Sequence, residues 1–358
     1  MKNLSIKEDE NMIYGFGIIG LGSIADTHAK AICKLNNGKL VACYSRSQSR
    51  AEQFAKKNNC RGYSSSKEFL NNPDLDIVTI CTPSGCHLEP ALEILESGKH
   101  IIIEKPLEIT LDRCDKIINK YLQKNLKLGV IFQSRFNEAA QFVKKSLEEK
   151  KLGRLVLGDA YVKWYRSQEY YNSGGWHGKI KYEGGGVLMT QAIHAIDLQQ
   201  WYMGKVHSVQ AFANTIGHKN IEVEDNAVAV MQFENGALGV IEGTTAIHPG
   251  FLKRIEISGT KGSIILEEDY VKEYSILNEA EVSRKIIKKY GNKTNSAGGA
   301  NDPKAINYTG HKNQFENFIE AVEKNKDPLV NGIEGRKSVE IILAIYESVK
   351  KGKLVKIK

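Results

Sequence analysis

Short apolar segments alternate with helical patterns over the first 130 residues. An apolar run at residues 13–19 predicts a buried strand, and apolar residues over 24–35 recur at intervals of three and four, as on one helix face. Further elements follow in alternation: strands at 40–44, 76–81, 100–104 and 128–132, and helices at 88–97 and 112–123. This alternation indicates an α/β fold in which a parallel sheet is covered by helices on both faces.

The pattern changes near residue 151. Longer strands with alternating apolar residues are predicted, at 154–165, 206–216, 227–233, 237–244 and 254–258. A helix over 187–203 lies between them, and Asn235-Gly236 is a hairpin turn. These features indicate an α+β domain with a largely antiparallel open sheet.

Two domains follow from this change of pattern. We expect an α/β domain over residues 1–134, with 1–11 disordered, and an α+β domain over 135–358. Within the second domain, we expect the helices of residues 312–358 to pack back on the first. A stretch rich in Gly, Asn, Lys and Ser over 291–310 predicts a mobile loop near the site.

A glycine-rich turn separates the first predicted strand from its helix. Gly20, Gly22 and Ala25 form a Gly-x-Gly-x-x-Ala pattern, with Ser23 and Ile24 opening the helix. Gly20 permits a tight turn, Gly22 permits close approach of a phosphate, and Ala25 permits close helix–strand packing. The free N–H groups and the positive end of the helix dipole favour a pyrophosphate. The sequence therefore predicts a dinucleotide site at this turn.

In such a site, the residues at the end of the second strand bind the adenosine half of the dinucleotide. An NAD site usually has an acidic residue here for the ribose 2′-hydroxyl, whereas this chain has Ser45 and Arg46, with Arg50 one turn later. A hydroxyl and two guanidinium groups suit a 2′-phosphate. The alternative is that Arg46 stacks on adenine and Arg50 is a solvated helix residue. We expect NAD(P), and we favour NADP.

The amino-acid composition argues against several classes of protein. The chain has 358 residues and a formal net charge of +8, with lysines scattered rather than gathered with aromatic residues, which argues against nucleic-acid binding. The six cysteines include no CxxC pair, so we expect free thiols in a reducing compartment. No apolar run approaches the length of a membrane span. We expect a cytoplasmic protein that binds no membrane and no metal.

Polar residues stand where the parallel strands end and on one later helix. Ligands bind beyond the carboxyl ends of such strands, which places Thr82-Pro83, Lys105-Pro106 and Gln133 at the site. On the helix, three polar residues at spacings of four and seven share one face: Thr190, His194 and Asp197. His194 suits a general base, Lys105 can stabilise a developing alkoxide, and Asp197 could fix the imidazole tautomer.

Three segments together with the glycine turn carry a resemblance to a known family. They are Glu104-Lys105-Pro106, residues 163–171 (KWYRSQEYY) and residues 184–197 (GGGVLMTQAIHAID). From about residue 12 to 350 the chain resembles the Gfo/Idh/MocA family of sugar and inositol oxidoreductases. The resemblance implies catalytic roles for Lys105 and His194. Many members have Asp or Asn where this chain has Thr190, whose hydroxyl can hold a substrate oxygen but cannot share a proton as a carboxylate would.

The resemblance also implies contacts with the cofactor. Thr82, Pro83 and His87 match a turn near the nicotinamide ribose, although His87 could instead be only a helix-start residue. Glu104 is expected to contact the cofactor or to orient Lys105. Gln133 is included in the predicted cofactor site because of its place at a strand end.

Residues 163–178 resemble the branch that contains UDP-N-acetylglucosaminuronate 3-dehydrogenases. Aromatic rings here offer faces for a sugar or base, and Arg166 offers a fork for a carboxylate or phosphate. Trp164 is equally expected to be core of the second sheet. The predicted substrate contacts are Arg166, Tyr170, Tyr171, Trp176, Thr190 and Gln191.

The leading hypothesis is an NAD(P)-dependent dehydrogenase or reductase acting on a hydroxyl of a sugar, sugar phosphate or nucleotide sugar. One alternative is a reductase of ketosugar or dihydrodiol-type substrates. Another is a non-catalytic dinucleotide sensor of the same fold, which would not need Lys105 and His194. The family implies a homodimer or homotetramer formed through the sheet of the second domain.

Overall fold

The computed structural model describes residues 12–173, 175–291 and 307–357. The segment 1–11, expected to be disordered, lies outside these residues, as does most of the loop expected over 291–310. In the part of the chain that is described, no helix is long and apolar enough to cross a membrane.

The first half of the chain builds a parallel sheet with strand order β3-β2-β1-β4-β5-β6. Every residue of β1 is buried, as expected for a central strand with helices on both faces. The elements are β1 (Tyr14–Ile19), α1 (Ser23–Ile32), β2 (Gly38–Tyr44), α2 (Gln48–Asn58), β3 (Arg61–Tyr63), α3 (Ser66–Leu70), β4 (Ile77–Ile80), α4 (Leu88–Glu96), β5 (His100–Ile103), α5 (Leu111–Gln123), β6 (Leu128–Val130) and α6 (Glu138–Glu148). This strand order is that of dinucleotide-binding Rossmann domains.

The second half builds a mixed, mostly antiparallel sheet with strand order β13-β12-β11-β7-β10-β9-β8-β14. Its elements are β7 (Leu155–Lys163), α7 (Gln168–Asn172), α8 (Ile180–Glu183), α9 (Ile193–Met203), β8 (Val206–Asn214), β9 (Asn226–Phe233), β10 (Leu238–Thr244), β11 (Arg254–Gly259), β12 (Gly262–Glu267), β13 (Tyr270–Ile276), α10 (Ala280–Tyr290), α11 (Thr309–Glu323), α12 (Gly332–Lys351) and β14 (Val355–Lys356). The fold class predicted from the sequence is confirmed.

Helix α9 covers the inner face of the second sheet, α11 packs on the first domain, and α12 joins the two sheets. Helix α11 packs on α1, and its Phe315 ring lies 5.8 Å from the Phe16 ring of β1. Helix α12 contacts β6 of the first sheet and β8 of the second. The polar carboxyl edge of the parallel sheet is thereby held against the beginning of α9.

The hairpin of β12 and β13 was not predicted. Its register shifts between Ile265 and Leu266, which breaks the alternation of apolar and polar residues on which strand prediction depends. The predicted helix over 187–203 begins differently from an ordinary helix, because residues Leu188–Ala192 form a π-helical turn before α9. That turn shapes the site.

Candidate active site

A cavity of about 1840 Å³ runs from the turn after β1, past the ends of β4 and β5, to the beginning of α9. Most of the predicted site residues line it: Gly20, Gly22, Ser23, Ile24, Ser45, Arg46, Arg50, Thr82, Pro83, Glu104, Lys105, Gln133, Arg166, Tyr170, Trp176, Thr190, Gln191 and His194. The structure therefore brings together residues separated by more than 170 positions in the chain.

The two glycines of the first turn differ in what surrounds them. Gly20 has a φ of +86°, and a Cβ there would lie 2.7 Å from the carbonyl carbon of Cys81. At Gly22 a Cβ would meet no protein atom within 4 Å, although this residue opens α1. The N-terminus of α1 also has no side-chain cap. Uncapped N–H groups beside open space fit the pyrophosphate of a dinucleotide.

Hydroxyl and guanidinium groups surround the adenosine end of the cavity. Ser45, Arg46 and Arg50 all line it. The Ser45 hydroxyl accepts a hydrogen bond from the Ser47 backbone N–H at 3.2 Å, which ties it to the turn. Among the described cavity residues, β2 and the turn after it contribute no carboxylate.

Lys105 reaches from the end of β5 to the π-helical turn. Its Nζ donates a 2.6 Å hydrogen bond to the backbone carbonyl of Thr190. The π-helical turn alters the local hydrogen-bond ladder, as such turns often do at functional sites. Burial lowers the pKa of Lys105 from 10.5. The Thr190 hydroxyl donates to the carbonyl of Gly186 at 2.8 Å, so it can only accept from a ligand.

Glu224 holds the beginning of the π-helical turn. Its carboxylate accepts from the N–H groups of Gly186 at 2.8 Å and Leu188 at 3.0 Å, and from the Tyr346 hydroxyl at 2.8 Å. Burial raises the pKa of Glu224, while these hydrogen bonds act in the opposite direction. A carboxylate at this position satisfies N–H groups that a helix start otherwise leaves unpaired.

His194 follows the π-helical turn and faces the cavity. Its Nδ1 atom is buried and has no protein partner, and its ring lies 6.0 Å from that of Phe132, edge to face. Burial, together with the positive charges of Lys105 and Lys253, holds the pKa of His194 well below 6.5. The imidazole is therefore neutral near pH 7 and can accept a proton.

Asp197 does not orient His194. Its two carboxylate oxygens each accept a 2.7 Å hydrogen bond from the guanidinium of Arg135, and Ser338 lies 3.3 Å away. The reason is a distant partner: the buried guanidinium of Arg135, from the segment after β6, takes both oxygens of the carboxylate. The predicted role of Asp197 in fixing the tautomer is wrong, because this pair of buried charges is structural.

Two other predicted contacts lie beneath the cavity rather than on its wall. The His87 ring is fully buried between the carbonyl oxygens of Thr82 and Pro106, 3.0 Å from each. The Tyr171 hydroxyl is 2.8 Å from that of Thr245, and its ring packs on His218. Neither side chain lines the cavity, and both instead contact residues beneath its wall.

Glu104 is held by two histidines that approach from different helices. Its Oε1 lies 2.9 Å from Nε2 of His28 and 3.7 Å from Nε2 of His311. Although burial alone would raise it, these histidines hold the pKa of Glu104 well below its usual value of 4.5. The ligand atoms of the three residues lie within 4.8 Å of one another, a spacing that a metal ion could also use. The carboxylate is ionised beside Lys105.

The cavity residues that were not predicted include Glu183, Lys253 and His311. Glu183 is buried and accepts from the Gly178 N–H at 2.6 Å, while His177 Nδ1 lies 3.3 Å from it. The sequence did offer a sign of Glu183, because this acidic residue directly precedes the three glycines that open the helix. Lys253 and His311 reach the site only through tertiary packing, so sequence pattern offered no sign of them.

Two family models match the chain. One, described as an oxidoreductase family with an NAD-binding Rossmann fold, matches residues 14–132. The other, the GFO/IDH/MocA C-terminal domain, matches residues 140–265. Together they span most of the described chain and both sides of the cavity.

Similar proteins include two inositol dehydrogenases and a dehydrogenase solved with a bound nucleotide sugar. The scyllo-inositol 2-dehydrogenase (NAD(+)) of Bacillus subtilis is 25% identical over 94% of this chain and 94% of its own length. The myo-inositol 2-dehydrogenase of Thermotoga maritima is 24% identical over 95% of this chain and 98% of its own. The WlbA dehydrogenase of Bordetella pertussis, solved with NADH and UDP-GlcNAcA, is 27% identical, with a TM-score of 0.85 over 97% of this chain and 99% of that one.

Proposed function

The chain belongs to the Gfo/Idh/MocA family of NAD-binding oxidoreductases, and from this premise we propose that it transfers a hydride between the nicotinamide and a sugar. The reacting group is a secondary hydroxyl or ketone of a sugar, sugar phosphate or nucleotide sugar. The observation that carries this proposal is the meeting of Lys105 and His194 in the cavity that begins at the dinucleotide turn. A dinucleotide sensor would need neither side chain.

The chemistry follows from the protonation states of the two residues. When bound, the cofactor supplies or accepts the hydride. In the oxidation direction, neutral His194 accepts the proton of the substrate hydroxyl, and the Lys105 ammonium donates a hydrogen bond to the oxygen as negative charge develops there. Thr190 accepts a hydrogen bond from the substrate and positions it. In the reduction direction the same groups return the proton to the carbonyl oxygen.

The walls of the cavity support a sugar as the substrate. The rings of Tyr170 and Trp176 line it on the side of the second sheet, and apolar ring faces suit the C–H faces of a sugar. The volume of about 1840 Å³ exceeds that of an ordinary pocket for one small molecule, which leaves room for a substrate beside the dinucleotide. Relatives that act on inositols and bind UDP-GlcNAcA are consistent with this class.

The test is a substrate panel with purified protein. Inositols, hexoses, hexose phosphates and UDP-sugars are each mixed with NAD or NADP, and reduced nicotinamide is followed at 340 nm; ketosugars and dihydrodiols with the reduced cofactors cover the reverse direction. At least one sugar should turn over, and His194→Ala should abolish that turnover. Cofactor binding without turnover of any compound would support the sensor instead.

We also propose that NADP is the preferred form of the cofactor. The support is local: Ser45, Arg46 and Arg50 surround the adenosine end, and Arg pairs well with phosphate oxygens. Arg46→Ala should raise the Kd for NADP more than that for NAD, with Lys39→Ala on β2 as a charge-matched control. Equal effects on both cofactors would assign Arg46 to adenine stacking.

A homo-oligomer formed through the outer face of the second sheet is the proposed assembly. Large apolar side chains are exposed there: Leu157, Phe212, Val228, Val230 and Leu238. Phe212 pairs with Val228 and Leu157 with Leu238 in register, so the patch is continuous across strands. Contiguous apolar surface of this kind is typical of subunit contacts. Light scattering should give a dimer or tetramer, and Val230→Glu should give monomers.

We further propose that the protein is located in the cytoplasm. Its support is that all six cysteines are free, three of them buried, as expected in a reducing compartment. Cell fractionation with an antibody against the chain checks it.

A further inference from the structure

Two side chains of the second sheet point toward the cavity from neighbouring strands. Arg254 of β11 pairs with Tyr161 of β7, so Lys253 lies beside Val162 on the inner face. Trp164 follows Val162 by two residues and therefore lies on the same face. Both Lys253 and Trp164 line the cavity, close to each other across the two strands.

Both side chains are buried, and neither side-chain nitrogen has a described protein acceptor closer than 3.5 Å. Lys253 is 5% exposed and Trp164 is 8% exposed. The indole Nε1–H of Trp164 has no protein acceptor. The Lys253 ammonium has long contacts, 3.5 Å to the Ser134 hydroxyl and 3.6 Å to Glu268 Oε2. A buried ammonium with three donors normally requires closer partners than these.

The nearby carboxylate of Glu268 contacts both the main chain and the ammonium of Lys253. Its Oε1 accepts from the backbone N–H of Lys253 at 2.7 Å, whereas its Oε2 lies 3.6 Å from the ammonium, so the shorter contact is with the main chain. The Arg166 guanidinium lies over the Trp164 ring, 5.3 Å from its centroid. Lys253 and Arg166 therefore bring two positive charges to this corner of the cavity beside Glu268, and the Trp164 N–H has no protein acceptor there.

We propose that Lys253 and Trp164 bind an anionic oxygen group of the substrate, a carboxylate or a phosphate. Such groups are acceptors only, and they form their strongest hydrogen bonds with ammonium and N–H donors from which water is excluded. The inference rests on the proposed sugar oxidoreductase function, and it makes these two residues determinants of substrate specificity. Neither residue is required for the hydride transfer itself.

The experiment measures binding without turnover. The protein is saturated with NADPH or NADH, so an alcohol substrate cannot react, and three ligands are titrated by calorimetry. N-acetylglucosamine has no anionic group, UDP-N-acetylglucosamine adds a diphosphate, and its C6 uronate adds a carboxylate. Wild-type affinity should rise at one of these additions, and Lys253→Met should remove about tenfold or more of that gain.

The step at which the variant loses affinity identifies the source of the anion. Loss at the first addition assigns the corner to phosphate, and loss at the second assigns it to the carboxylate. If wild type gains nothing at either step, or if Lys253→Met changes all three affinities alike, the proposal is overturned. Failure of the proposed function is distinct, because it appears in the substrate panel as an absence of turnover.

Further variants separate binding from folding. Lys253→Arg should retain most of the gain, and Trp164→Phe should lose about threefold because one neutral donor is removed. Loss of Lys253 alone leaves the Glu268 carboxylate without its ion-pair partner, which can destabilise the fold. The double variant Lys253→Met/Glu268→Gln removes both charges and so avoids this effect. Lys272→Met, on β13 and paired with Glu267, is the charge-matched control and should leave all three affinities unchanged.

Discussion

The Lys105 ammonium donates a 2.6 Å hydrogen bond to the backbone carbonyl of Thr190, which joins the end of the parallel sheet to the helix that carries His194. The carbonyl belongs to the π-helical turn Leu188–Ala192. One contact therefore sets the position of the lysine relative to the histidine four residues further on. Both side chains line the same cavity.

The first prediction concerns this lysine. Lys105→Met should lower kcat by about 10²-fold or more, because an electrostatic donor to the reacting oxygen is lost. The Kd for the cofactor should change by less than about threefold, since the glycine turn is untouched. Steady-state kinetics and cofactor titration measure the two quantities.

Lys99→Met is the matched control, because Lys99 is a partly exposed lysine directly before β5, at the opposite end of that strand from Lys105. It should behave as wild type in both measurements. A Lys105→Met enzyme with a kcat within tenfold of wild type would remove Lys105 from the chemistry.

The second prediction concerns Glu224 as a positioning residue. Glu224→Gln leaves one acceptor oxygen for the N–H groups of Gly186 and Leu188, so one of them loses its partner. We expect a loss of about 1–3 kcal/mol in the free energy of unfolding and a lower kcat, with little change in KM for the cofactor. Urea unfolding and kinetics measure these effects.

Glu222→Gln supplies the comparison. Glu222 is exposed two residues earlier and pairs with Lys179 at 3.0 Å. Its replacement should leave the urea midpoint and kcat essentially unchanged, because an exposed ion pair is screened by solvent. If Glu224→Gln destabilises the protein but leaves kcat and its pH profile unchanged, Glu224 is purely structural.

The third prediction concerns pH. Burial and the charges of Lys105 and Lys253 keep the pKa of His194 well below 6.5, so the acid limb of kcat/KM for oxidation should lie below pH 6.5. Burial lowers the pKa of Lys105, so the alkaline limb should begin below pH 10.5. Lys253→Met should move the acid limb upward, because one positive charge is removed. An acid limb above pH 6.5 would argue against His194 as the base.

The free energy of unfolding should also depend on pH through His194. In the unfolded chain His194 binds a proton near pH 6.5, whereas in the folded chain it stays neutral to lower pH. The unfolded state therefore binds more protons below pH 6.5, and folding stability falls there by at most about 1.4 kcal/mol per pH unit for this group. His194→Gln should show a weaker decline between pH 7 and 5 than wild type.

Sequence pattern predicted the parts of this site that depend on local structure. The Gly20 turn lies between β1 and α1 because strand, turn and helix are contiguous in the chain. Lys105 and Gln133 lie at one edge because parallel strands end on the same side of a sheet. The α/β and α+β classes follow from the change in apolar period near residue 151.

The features of the site that the sequence pattern could not predict depend on residues far apart in the chain. Asp197 appeared to share the face of His194, but its partner Arg135 comes from the segment after β6. His311 and Lys253 reach the cavity from α11 and from the edge of β11, and no local spacing marks them. The π-helical turn likewise depends on Glu224 and Tyr346, which lie far along the chain.

The last prediction uses the two glycines of the dinucleotide turn as a matched pair. Gly20→Ala should destabilise the fold by about 1–3 kcal/mol or more, because φ is +86° and the Cβ would lie 2.7 Å from the Cys81 carbonyl carbon. Gly22→Ala should fold as wild type, because its Cβ meets no protein atom within 4 Å. That open space is where we expect the pyrophosphate, so the Kd of Gly22→Ala for the cofactor should rise tenfold or more, by roughly 1.4 kcal/mol. Thermal melts without ligand and titration with NADPH and NADH separate the two effects. A Gly22→Ala protein that binds cofactor as tightly as wild type would show that the pyrophosphate lies elsewhere.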